Sequence, residues 1–181
     1  MWVRATDPYP WPYDGVLDGR RLALVIAGAQ RRWAGDGDPV LHRLAALAAA
    51  LHRSGGIVVC LRHTSPGASS GRGMPLAVGW ADEWVEAAGL DGFFGSRLDP
   101  ELRAGGVDRL LLGGFGLEGP VHSTLRGAND RGYECLTLSD ACLAVDPECR
   151  EGALRSITMS GGIFGAVGTT VAVCEALEES R

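Results

Sequence analysis

Three sets of residues carry side chains that can do chemistry. Cys60, Arg62 and His63 lie within four positions of one another, and a thiol near an imidazole and a guanidinium is the material of a thiolate nucleophile. Cys60 also sits in an apolar run, where a cysteine serves equally as a small core residue. Glu118 and His122 supply a carboxylate and an imidazole for acid–base work. Between them and the preceding apolar run, Gly114-Phe115-Gly116-Leu117-Glu118-Gly119 has the glycine spacing of a dinucleotide fingerprint, with Asp140 further on. The same turn suits plain anion or carbonyl binding at a helix N-terminus, and no cofactor is expected. His42 and His52 fall on an Ala-rich helical segment and read as surface histidines.

Composition removes whole classes of chemistry. All 17 basic residues are arginine, so a Schiff-base lysine, a phosphate-loop lysine and a lysine acid or base are excluded. The formal charge of −5 offers no footprint for nucleic acid. The five cysteines, Cys60, Cys135, Cys142, Cys149 and Cys174, are odd in number and lack zinc-site spacing, which points to a reduced, cytoplasmic chain without a metal. No apolar stretch is long enough to span a bilayer, and the start Met-Trp-Val-Arg lacks a signal-peptide core.

The elements that must position these residues alternate along the chain. Residues 1–20 form an extended arm, because Asp7 to Gly15 holds three prolines and three aromatics. Its aromatics need cover, and Trp11 is expected to reach onto another subunit. From residue 21 to 181 a single domain is expected. Strands are read at Leu22–Ala27, Ile57–Leu61, Val107–Leu112, Tyr133–Leu138 and Ile163–Val167. Helices are read from Asp38 to Arg53, Trp80 to Ala88, Asp99 to the Gly105-Gly106 stop, Pro120 to Arg131, Pro147 to Met159 and Thr170 to Glu178. A Gly/Ser/Pro loop fills Arg62 to Gly79. Strands apolar on both faces between helices give a three-layer α/β/α sandwich around a mostly parallel sheet of five or six strands. Ligands then bind beyond the carboxyl ends of the strands, where Cys60, Arg62, His63, Glu118 and His122 converge.

The arrangement Pro-Trp-Pro-Tyr-Asp-Gly, then Leu22 to Gln30, Gly114 to Gly132 and Gly161 to Thr170, resembles the isochorismatase-like cysteine hydrolase superfamily. The run His122 to Cys135 is similar to the branch of biuret and ureidoacrylate amidohydrolases. The resemblance covers most of the chain outside Thr64 to Asp91. It implies a six-stranded parallel sheet, dimers or tetramers, and hydrolysis of amide or ureide C–N bonds through a Cys-Asp-Lys triad. This sequence departs from that triad at every member. Gly28 stands where the family has its aspartate, Pro120 where it has its cysteine, and the lysine position falls near Ala87 in a chain without lysine.

Two classes of function remain. One is a pseudoenzyme that binds a small ligand or an active paralogue as its partner, with Gly28, Gln30, Trp33, Arg62, His63, Gly116, Gly119 and Pro120 lining the retained pocket. The other is an enzyme of different reaction on a small carbonyl-containing substrate, with Glu118, His122 and Cys60 as its chemical groups. Both are expected as homo-oligomers away from membranes and nucleic acid.

Overall fold

The structure is a computed structural model that describes residues 1–34, 38–64, 75–76 and 78–180. Strand β1 (Leu22–Ala27) is buried along its whole length, as its unbroken apolar run requires. A short α1 (Arg31–Ala34) follows it, then α2 (Asp38–Arg53) and β2 (Ile57–His63). Strand β3 (Glu83–Ala87), α3 (Leu98–Ala104) and β4 (Arg109–Phe115) complete the first half. A π-helical turn (Leu117–Val121) leads into α4 (His122–Asp130). Then come β5 (Glu134–Leu143), α5 (Cys149–Gly162), β6 (Ala166–Gly168) and α6 (Thr170–Glu179). The six strands pair in parallel in the order β3-β2-β1-β4-β5-β6.

Alternation along β1 sorts the core into two layers. Leu24 and Ile26 join Leu44, Leu47 and Leu51 of α2 and Val173 and Leu177 of α6 on one face. Ala23 and Val25 join Leu98 and Leu102 of α3, Leu125 of α4 and Ile157 of α5 on the other. In α2 the buried residues Val40, Leu44, Leu47, Ala48 and Leu51 recur at helical spacing, and each buried leucine contributes about 2 kcal/mol. The helix stops where Gly55 takes φ of 83°, a conformation natural to glycine.

Two expectations are corrected. Residues 80–88 hold the edge strand β3 and not a helix. Val85 and Ala87 are buried while the alternate positions Trp84 and Glu86 are half-buried and exposed, a period of two that pairing with β2 selects over local helix preference. Trp11 is not offered to another subunit, because it is fully buried in its own core. The arm achieves this by short pairings in place of regular structure. Val3 N–H donates to the Trp11 carbonyl, and Asp7 exchanges both backbone bonds with Val167 of β6, at 2.9 and 2.8 Å. Most of the expected 62–79 loop lies outside the described residues, and β2 runs on to His63.

The arm is also tied from beneath. Arg109 at the start of β4 is buried, and its guanidinium donates to Asp14 at 2.6 Å, to the Val16 carbonyl at 2.6 Å and to Glu134 at 3.4 Å. Each nitrogen of the fork thereby has a partner. Trp11→Ala is expected to cost about 3–5 kcal/mol of unfolding free energy in urea titration, as removal of a fully buried aromatic does.

Candidate functional site

The connections leave β1 and β4 in opposite directions, so the crevice between their carboxyl ends is the natural ligand position of such a sheet. Here that crevice is drawn tight. Gly28, at φ 64°, approaches the Phe115 carbonyl so closely that a Cβ would stand nearer than the 3.0 Å real Cβ atoms keep. Gly114, at φ 126°, crowds the Ala27 carbonyl in the same way from the other strand. Gly116 then enters the left-handed region and accepts the Val121 N–H at 3.2 Å, which closes the π turn that carries Pro120.

Trp33 lies over this junction. Its Cδ1 is 3.5 Å from the Cβ position of Gly28 and its Cε3 is 3.3 Å from that of Gly116, while Pro120 Cδ is 2.8 Å from the latter. The indole and the proline ring therefore fill the space above both glycines. Gln30 zips β1 to β2, donating through Nε2 to the His63 carbonyl at 3.2 Å and accepting the His63 N–H at 2.9 Å through Oε1. Arg32 donates to the same carbonyl at 3.0 Å and stacks 4.9 Å over Trp33. At this junction three buried nitrogens have no partner among the described residues: Arg32 Nε, Trp33 Nε1 and His63 Nε2. His63 Nδ1 bonds the Gly89 carbonyl at 2.9 Å, so that nitrogen carries the proton. Burial, more than any neighbour, holds the His63 pKa below its ordinary value, and burial also lowers that of Arg32.

Gly28, Gln30, Trp33, His63, Gly116 and Pro120 are thus brought around one junction. Arg62 is not among them, since it pairs with Glu86 across β2 and β3. Gly119 has open space where a Cβ would stand. Cys60 is corrected outright. It is fully buried in the apolar layer of α2, and burial pushes its thiol up to about 12, the opposite of a thiolate nucleophile.

Glu118 and His122 do meet, but in a different place. They line a cleft of about 510 Å³ between α4 and α5, with Ser123, Arg126, Cys149 and Ser156. Arg126 Nε donates to His122 Nδ1 at 3.2 Å, which makes that nitrogen the acceptor and puts the proton on Nε2. Nε2 then donates to Ser156 Oγ at 2.7 Å, and the Ser156 hydroxyl passes on to the Ala153 carbonyl at 2.7 Å. Burial first and the Arg126 charge second keep the His122 pKa low. The Glu118 oxygens accept the backbone N–H groups of Asp146 at 2.8 Å and Val145 at 3.1 Å. Asp140 caps α6 through Thr170 N–H at 2.9 Å and Thr170 Oγ1 at 2.6 Å, so it does not stand free beside the glycine-rich turn. Arg126 was missed, although its place four residues beyond His122 on one helix was a signal that could have found it. Ser156 and Arg32 carried no such signal, because only the fold brings α5 to α4 and α1 to the end of β2.

Strand order and the junction at its switch point define the class: a doubly wound, three-layer α/β domain with its crevice between β1 and β4. Within that class residues 22–171 match the isochorismatase domain, and the chain belongs to the isochorismatase family. It is 34% identical over 89 residues to YwoC, an isochorismatase family protein of Bacillus subtilis, across 49% of this chain and 44% of that one. It is 39% identical over 91 residues to the ureidoacrylate amidohydrolase RutB of Methylorubrum extorquens, across 50% and 36%. These matches span less than half the length of either relative. Among solved structures, a cysteine hydrolase from Pseudomonas syringae pv. phaseolicola superposes with a TM-score of 0.80 at 21% identity, covering 91% of this chain and 96% of that one. The nicotinamidase SaPncA of Staphylococcus aureus gives 0.70 at 16%, covering 82% and 98%. Both likenesses are of fold.

Two buried histidines with lowered pKa set a pH dependence. The unfolded chain takes up protons near pH ~6.5 while folded His63 and His122 still refuse them, so stability is full above that pH and is lost as it falls through their folded values. Urea unfolding at about pH 7.5 and about pH 5 checks this, and His63→Gln is expected to flatten the slope.

Proposed function

We propose that this chain is a non-hydrolytic member of the isochorismatase family, a pseudoenzyme that works as a ligand-binding or partner subunit. The observation that carries the reading is the contact at Gly28. Where the resemblance expects an aspartate, the β1 backbone is pressed against the Phe115 carbonyl with no room for any Cβ. A carboxylate there requires the two strand ends to part. Proline at position 120 offers no thiol, and no lysine exists to complete a Cys-Asp-Lys set. Trp33 and Pro120 occupy the space that such a reaction needs.

The unpartnered nitrogens of Arg32, Trp33 and His63 support ligand binding at the same strand ends. Buried polar atoms without partners are uncommon in folded proteins and mark hydrogen bonds that another molecule supplies. A small carbonyl or carboxylate ligand fits the two N–H groups of Arg32 and Trp33. The alternative of a repurposed acid–base enzyme loses its groups one by one. Both His122 nitrogens are spoken for, Ser156 receives a proton from His122 and gives it none to take, and Cys60 is sealed in the core. Exposed Trp2, Met159, Ile163 and Val171 give apolar surface for a homo-oligomer or for an active relative.

Purified protein is expected to release no ammonia from ureidoacrylate, biuret or nicotinamide above a no-protein control. Turnover that co-purifies with the chain and disappears on thiol alkylation would overturn the proposal.

A further inference from the structure

The cleft between α4 and α5 lies on the other face of the sheet from Trp33. Leu125 of α4 and Ile157 of α5 pack into one core layer, and Trp33 packs against the other. Its ligand chemistry can be read from how Arg126 is held. The guanidinium is fixed on two sides, by the 3.2 Å bond from Nε to His122 and by the Phe164 ring 4.3 Å beneath it. Neither Nη nitrogen has an acidic partner among the described residues. An arginine whose fork is oriented in advance and left unpaired is arranged for a carboxylate, which it takes with two parallel bonds. His122 is part of that arrangement, because its low pKa keeps the ring neutral and able to accept from Nε.

The opposite end of the cleft carries the opposite charge. Glu118 lines it, and its two oxygens each accept only one backbone N–H, which leaves each a further lone pair. Asp146, which bonds the exposed Cys149 at 3.8 Å, adds a second carboxylate at that end. Glu118 stands in the π turn and Arg126 in the second turn of α4 beyond it, and both line this one cleft. Between them the walls are small, formed by Gly152, Ala153 and Ser156.

We propose that this cleft binds a small zwitterion of amino-acid size, with its carboxylate on Arg126 and its ammonium on Glu118. The Ser123 hydroxyl lies one turn before Arg126 on α4 and adds a donor for the carboxylate. The site is independent of the strand-end junction and requires no hydrolysis.

Calorimetric titration of the full chain with glycine, β-alanine, γ-aminobutyrate and δ-aminovalerate tests it, with n-butyrate and n-butylamine as single-charge controls. At least one zwitterion is expected to bind saturably and at least tenfold more tightly than either control. Arg126→Gln is expected to weaken that binding by at least ~10-fold, the scale of a bidentate charged pair. Gly152→Leu is expected to abolish it, since nothing lies within 4 Å of a Cβ at that position and the side chain would enter the cleft without disturbing the core. Unchanged far-ultraviolet circular dichroism confirms that both variants fold, and His42→Gln, exposed on α2 across the sheet, is expected to leave binding as it was. Absence of saturable binding throughout the series, equal affinity for n-butyrate, or binding undiminished in folded Gly152→Leu would each overturn the proposal.

Discussion

The close approach of β1 and β4 at their carboxyl ends is the constraint on which the rest depends. Two main-chain carbonyls, of Ala27 and Phe115, each face a glycine on the neighbouring strand, and neither glycine can be given a side chain. Parallel strands with such a junction bring Gly116, the π turn and α4 to a fixed height above the sheet. Trp33 can then lie flat across Gly28 and Gly116, and Arg32 can reach the end of β2. In sheets of this kind the switch point is where ligands enter, so a local packing choice decides what chemistry the domain retains.

The two polar regions differ in how their hydrogen bonds are spent. Around His63, Arg32 and Trp33 there is a surplus of buried nitrogen atoms over partners. Around His122 the chain runs without a gap from Arg126 through the ring and Ser156 to a backbone carbonyl. A relay whose direction is set by an arginine at one end cannot make the serine a nucleophile, because the ring gives a proton to that hydroxyl and has no lone pair left to take one. The same relay, read as a support, holds a guanidinium in one orientation.

The sequence was legible wherever local pattern and global packing agree. β1 has the boundaries its apolar run suggests, and α2 begins at Asp38 and ends before the Ser54-Gly55-Gly56 stop. Disagreement arose where a partner in space overrode the local signal. Trp84 and Val85 sit in a segment of helix-forming residues that β2 recruits as its edge. Trp11 was misjudged because its burial depends on a few isolated bridges, of which no periodicity gives notice. At the site, the glycines and Pro120 were visible by type, but their meaning was not. That a Cβ at Gly28 would strike a carbonyl is a fact about the distance between two strands. Arg62 and Cys60 failed for a simpler reason: they share one face of β2, where Cys60 is sealed in the core and Arg62, nearer the strand end, is drawn into a salt bridge with Glu86.

The bridge between Asp7 and Val167 has a consequence for how copies of this domain can meet. β6 is only three residues long, and its outward-facing N–H and C=O, both on Val167, are taken by the arm. Strand addition, the commonest way for one sheet to grow into another, finds no open donor or acceptor on that margin. The far margin, β3, shows Glu83 and Glu86 to solvent, each with an arginine beside it, and charged side chains on an edge strand disfavour its pairing with another chain. Strand addition is therefore closed off at the β6 margin and disfavoured by charged side chains at the β3 margin.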